Sequence, residues 1–100
     1  MEKEKLDNLI NLFLNKSINT NEFCDQFYKL YEFCLDKKEL DAFERKLYSD
    51  LNYILSRFSM FPDEIEKYEN TYYSEKDIRN KTAYIYSLLL EMRCNIEGNA

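Results

Sequence analysis

The stretch IRNKTAYIYSLLLEMRCNI, residues 78–96, decides the fold. Ile78, Thr82, Ile85, Leu89, Met92 and Ile96 recur at steps of four, three, four, three and four. That alternation keeps one side of an α-helix against a packed neighbour, as in a bundle seam. A helix is expected from about Glu75 to Asn95, opened by a capping box of Ser74 with Asp77 and frayed at Gly98 and Asn99.

Three more amphipathic segments precede it. Leu6, Leu9, Ile10, Phe13 and Leu14 share one helical face and predict a first helix over Lys3–Asn15. NKSINTN (15–21) breaks that pattern, and Asn19 with Glu22 suits the start of a second helix over 21–35. Its stripe is Phe23, Phe27, Leu30, Tyr31 and Cys34. Asp36 followed by Glu39 marks a third start, with a helix over Lys38–Ser59 carrying Leu40, Phe43, Leu47, Leu51, Ile54 or Leu55, and Phe58. Phe13, Phe23, Phe27, Phe43 and Phe58 are expected in the core, and the cysteines as small apolar packing residues.

Glycine and proline each occur once, which leaves little turn chemistry for a sheet. The expected fold is a single all-α domain over 1–100. It is an antiparallel four-helix bundle with a long acidic connection between the third and fourth helices. One hundred residues, 45% hydrophobic and 16% aromatic, suffice for one core and argue against disorder.

The formal charge is −5, which disfavours direct contact with nucleic acid or an anionic membrane and favours a basic protein partner. MEKEKLDNL lacks the apolar segment of a signal peptide, and no apolar run approaches a membrane span. The expectation is a cytoplasmic chain with three reduced cysteines. Cys24 and Cys34, ten residues apart on one helix, lie too far apart to pair.

Without histidine, Ser-His-Asp and Cys-His nucleophile systems are excluded, and the single glycine excludes a glycine-rich phosphate loop. Carboxylate pairs remain: Glu66 with Glu69, and Glu32 with Asp36. A magnesium site needs such pairs aimed inward from facing helices, whereas these acids mostly fall off the apolar seams. No cofactor and no metal are expected.

The sequence's one irregularity is SRFSMFPDEIEKYENTYYSEKD, residues 56–77. It holds Asp63, Glu64, Glu66, Glu69, Glu75 and Asp77 against two lysines, Lys67 and Lys76, and Arg57 at its start, with Tyr68, Tyr72 and Tyr73 among the acids. Pro62 suits the first position of a short helical turn. Acids concentrated on one connection steer a basic partner, and tyrosines supply desolvated contact area. The expected contact residues are Asp63, Glu64, Glu66 and Glu69 as charge partners, with Tyr68, Tyr72 and Tyr73 as anchors. A plain solvated loop stays open as the alternative, with the tyrosines capping the end of the bundle.

Leu12-Phe13-Leu14, then Ile18, then Glu22-Phe23 resembles the opening of the colicin D type immunity proteins. Arg57-Phe58 followed by Pro62-Asp63, and later Ile78-Arg79, is similar to that family's third-helix end and last-helix start. The resemblance spans about residues 6 to 92, and immunity proteins of contact-dependent growth-inhibition systems match equally. Ser56 stands where the family often has an acid, and Met60 and Phe61 are extra before Pro62. The resemblance implies a four-helix inhibitor that binds one copy of a cognate basic nuclease toxin, typically a tRNA-cleaving ribonuclease, and blocks its active site. By its place after Pro62, Asp63 is the contact residue carried over most directly. A metal-dependent hydrolase and a helical adaptor for another partner stay open beside it.

Overall fold

The computed structural model describes residues 2–67 and 71–98, and side chains within them except at 2, 62 and 95–98. The protein is all-α: α1 (Glu2–Leu14), α2 (Thr20–Lys29), α3 (Ala42–Ser56), α4 (Pro62–Lys67) and α5 (Glu75–Gly98). A π-helical turn (Leu30–Cys34) extends α2, and a 3-10 turn (Lys37–Glu39) precedes α3. Among the described residues there is no strand, only one isolated bridge between Phe58 and Tyr73.

α1 buries Leu6, Leu9, Ile10 and Phe13 on one face, as their spacing dictates. It ends in a Schellman turn: the Lys16 amide donates to the Phe13 carbonyl at 3.0 Å and the Ser17 amide to the Leu12 carbonyl at 2.8 Å. Asn19 then caps α2, accepting from the Glu22 amide at 2.8 Å while its own amide group donates to the Glu22 carboxylate at 3.0 Å. Facing across this corner, the Phe13 and Phe23 rings stack with centroids 4.3 Å apart. Phe23 and Phe27 pack edge to face at 5.8 Å.

Two of the expected helices differ from their predicted course. The second does not continue as regular α-helix to residue 35. The wider π turn keeps Tyr31 buried but rotates the residues after it off the stripe, so Cys34 is exposed and Leu35 takes the inward place. The third begins at Ala42 instead of Lys38. Asp36 caps only the 3-10 turn, Leu40 is buried in extended backbone, and Asp41 with Glu44 forms the capping box that starts α3. α3 ends at Ser56, and its buried positions are Glu44, Leu47, Tyr48, Leu51 and Leu55. Phe43, expected in the core, is 39% exposed, at the edge of the face that Glu44, Leu47, Tyr48, Leu51 and Leu55 bury. Phe58 is partly buried and packs on the core edge.

On α5 the expected face is observed: Ile78, Thr82, Ile85 and Leu89 are buried, while Ile96 falls outside the described side chains. Contacts run in opposite directions along α5 and its neighbours. Arg93 reaches Asp7 and Glu44 near the starts of α1 and α3, whereas Arg79 donates to the Phe13 carbonyl at the end of α1 at 2.6 Å. α1 therefore runs opposite to α5, and α3 brings its start to the same end of α5.

Candidate functional site

The acidic connection is pinned at its base. The Tyr73 amide donates to the Arg57 carbonyl at 2.7 Å, and the Ser59 amide donates back to the Tyr73 carbonyl at 3.0 Å. Between these bonds the chain leaves and re-enters the helical body at nearly one place. Ser59, buried, organises the exit: its hydroxyl accepts from the Phe61 amide at 3.1 Å and donates to the Glu64 carboxylate at 2.7 Å. The Glu64 and Ile65 amides donate to the Phe61 carbonyl at 3.1 and 3.3 Å, starting α4 at Pro62. Asp63 and Glu64 in that first turn suit its positive end.

This geometry divides the expected contact residues. Asp63 and Glu66 are exposed on α4 and free to meet another surface. Glu64 is half-buried and engaged by Ser59, so it builds the loop. Tyr73 is half-buried against the core with the Lys81 ammonium 4.8 Å from its ring centre, and acts as the clamp. Tyr72 is half-buried, and Tyr68 and Glu69 lie outside the described residues. Met60 and Phe61 were not expected as contact residues, yet they are 55% and 58% exposed directly before α4. Their signal was present in the sequence: two large apolar residues ahead of the only proline, on no helical seam. Beside them lies a small cavity of about 150 Å³ lined by Asn19, Thr20, Asn21, Phe58, Met60 and Glu75.

A second polar cluster, invisible to local spacing, joins α1, α3 and α5. The Arg93 guanidinium donates to Asp7 at 2.8 Å, to Glu44 at 2.9 Å and to the Tyr48 hydroxyl at 3.0 Å. Tyr48 donates onward to Asp7, and the Lys3 ammonium sits 3.3 Å from Glu44. Burial pulls the Glu44 carboxyl upward, but bonds from Arg93, the Asp41 amide and Lys3 outweigh it and hold it below the usual carboxylate range. Burial, with the Asp7 carboxylate alongside, holds the Tyr48 hydroxyl protonated well above its ordinary range. Two carboxylates, each bound to cations and with Glu44 only 4% exposed, make a fastener between helices.

Of the carboxylate pairs considered for metal, Glu66 with Glu69 lies partly outside the described residues, and Glu32 and Asp36 have separate partners. Glu32 accepts from Asn52 at 3.1 Å and faces Lys37, while Asp36 accepts from the Lys38 amide. Among the described residues no cluster of three or more His, Cys, Asp or Glu is placed to hold an ion. Between α3 and α5 runs a groove of about 430 Å³, floored by Leu47, Ile54, Ile85 and Leu88 and walled by the exposed Tyr53 and Tyr84. Among the described residues, no helix is long and apolar enough to cross a membrane. Comparison with family models, curated proteins and solved structures gives no match to the chain.

Proposed function

We propose that the chain is an immunity-type inhibitor, a monomer that docks its third connection on a basic nuclease toxin domain in the cytoplasm. In this reading α1, α2 with its π turn, α3 and α5 form the antiparallel four-helix bundle, and α4 interrupts the acidic connection. The observation that carries the proposal is the exposed Met60–Phe61 pair followed at once by exposed Asp63 and Glu66, on a loop clamped at its base. Desolvated apolar anchors ringed by charge are what a hot spot requires. A nuclease holds RNA phosphates with lysine and arginine, so carboxylates presented there displace substrate and gain charge-assisted bonds. The net charge of −5 adds long-range attraction to such a partner.

The test is capture of partners from the native host by the tagged protein, then titration against the basic toxin domain recovered, at low and high salt. Tight binding whose association rate falls with salt is expected. Asp63→Lys with Glu66→Lys should weaken it about a hundredfold or more with the helical circular dichroism unchanged. Undiminished binding by that variant sinks the surface assignment. An adaptor reading is favoured by one observation, the tyrosine-walled groove between α3 and α5; it gains if Tyr53→Ala, and not the α4 variant, removes a partner.

A further inference from the structure

On this acidic chain three cations converge where α1 ends and α5 begins. Lys16, Lys76 and Arg79, with Glu75 and Asn80, line a surface cavity of about 460 Å³. The lining carries a surplus of two positive charges. Arg79 is anchored: its guanidinium lies 4.2 Å from the Phe13 ring centre, donates to the Phe13 carbonyl, and faces Glu75 at 3.6 Å. The Thr20 hydroxyl donates at 2.8 Å to the same Glu75 oxygen that faces Arg79. The Lys16 and Lys76 ammoniums have no ion pair or hydrogen bond among the described residues.

Lys16 occupies its place at a conformational cost. It stands at φ 67° in the left-handed position of the Schellman turn, where glycine or asparagine is the ordinary choice. Among the described residues it is the one non-glycine with positive φ. Neither the helix end nor the core uses its side chain, and Lys16 lines the cavity.

We propose that this cavity binds a dianionic phosphoryl group. Lys16 and Lys76 supply the unpaired charge, Arg79 its remaining guanidinium donors, and Asn80 an amide donor. The surplus of two positive charges matches the dianion. The site contains no residue of α4, although Glu75 also lines the small cavity beside Met60.

The test is a titration of the ¹⁵N-labelled full chain with inorganic phosphate and, separately, adenosine 5′-monophosphate, against sodium chloride at matched ionic strength. Saturable amide shifts confined to Lys16, Lys76, Arg79 and Asn80 are expected with phosphate and not with chloride. Lys16→Gly should weaken binding about tenfold while leaving the melting temperature unchanged or raising it, and Lys76→Ala should weaken it comparably. Loss of binding without loss of stability is a signature that a merely structural lysine does not give. Tighter binding of the monoester assigns a substituted phosphoryl group, and equal or weaker binding assigns free phosphate. Shifts that merely track chloride, or a Lys16→Gly protein of full affinity, overturn the site.

Discussion

Arg93 and Glu44 meet at 2.9 Å although 49 residues separate them, and Glu44 is among the most buried polar residues described. Removing one member of such a pair strands the other without a counter-charge. Arg93→Met should therefore cost about 3 kcal/mol in urea unfolding, whereas Arg93→Met combined with Glu44→Gln and Asp7→Asn should recover part of that loss. An Arg93→Met protein as stable as the parent would show that water reaches Glu44 freely.

The same pair sets the acid limb of stability. Glu44 is held below its unfolded value, so the folded state binds fewer protons than the unfolded chain as acid is added. Its contribution is complete above the ordinary carboxylate pKa and disappears as the pH falls through the lowered folded value. Glu44→Gln should flatten the loss of stability in that window, measured by denaturation at a series of acidic pH values; an unaltered slope refutes the assignment.

Thr82 is completely buried, and its hydroxyl finds no hydrogen-bond partner among the described residues. A buried, unpaired hydroxyl carries a desolvation penalty that a methyl group of the same shape lacks. Thr82→Val should raise stability by about 1 kcal/mol in the same unfolding assay. A destabilised Thr82→Val would mean that the hydroxyl is satisfied after all, by its own helix or by water.

The three cysteines differ in exposure, and a thiol reagent should count them apart. Cys34 and Cys94 are exposed, while burial pushes the Cys24 thiol up to about 12. The thiolate is the reactive form, so at pH 8 two cysteines should be modified rapidly and the third only on unfolding. Three equal rates, tracked by mass spectrometry, would contradict the packing around Cys24.

Much of the fold was legible because it rests on local periodicity. The α5 seam, the burial of Phe13, Phe23 and Phe27 and the caps at Asn19 and Ser74 arise from spacing and capping chemistry within one or two turns. The π turn after Lys29 was not legible, since nothing local distinguishes it and it is the packing of Tyr31 and Leu35 that selects it. Glu44 was missed for a similar reason. Its role in the Asp41 cap suggests an exposed helix start, and its burial depends on Arg93 and Lys3 arriving from two other helices. For the candidate site, charge and tyrosine content marked out the segment but not the division of labour within it. Only the Ser59 bond to Glu64 and the Tyr73 clamp separate the acids that build the loop from those that face outward.

The clamp at Phe58 and Tyr73 also has an evolutionary meaning. A loop closed at its base transmits little strain to the helices beneath, and doubling its length costs only about 0.6 kcal/mol of closure entropy. Insertions, deletions and charge changes between Ser59 and Tyr73 are thus nearly neutral for the helices on either side. The length and charge of this one segment can therefore change while the stability of the helical scaffold stays nearly as it is.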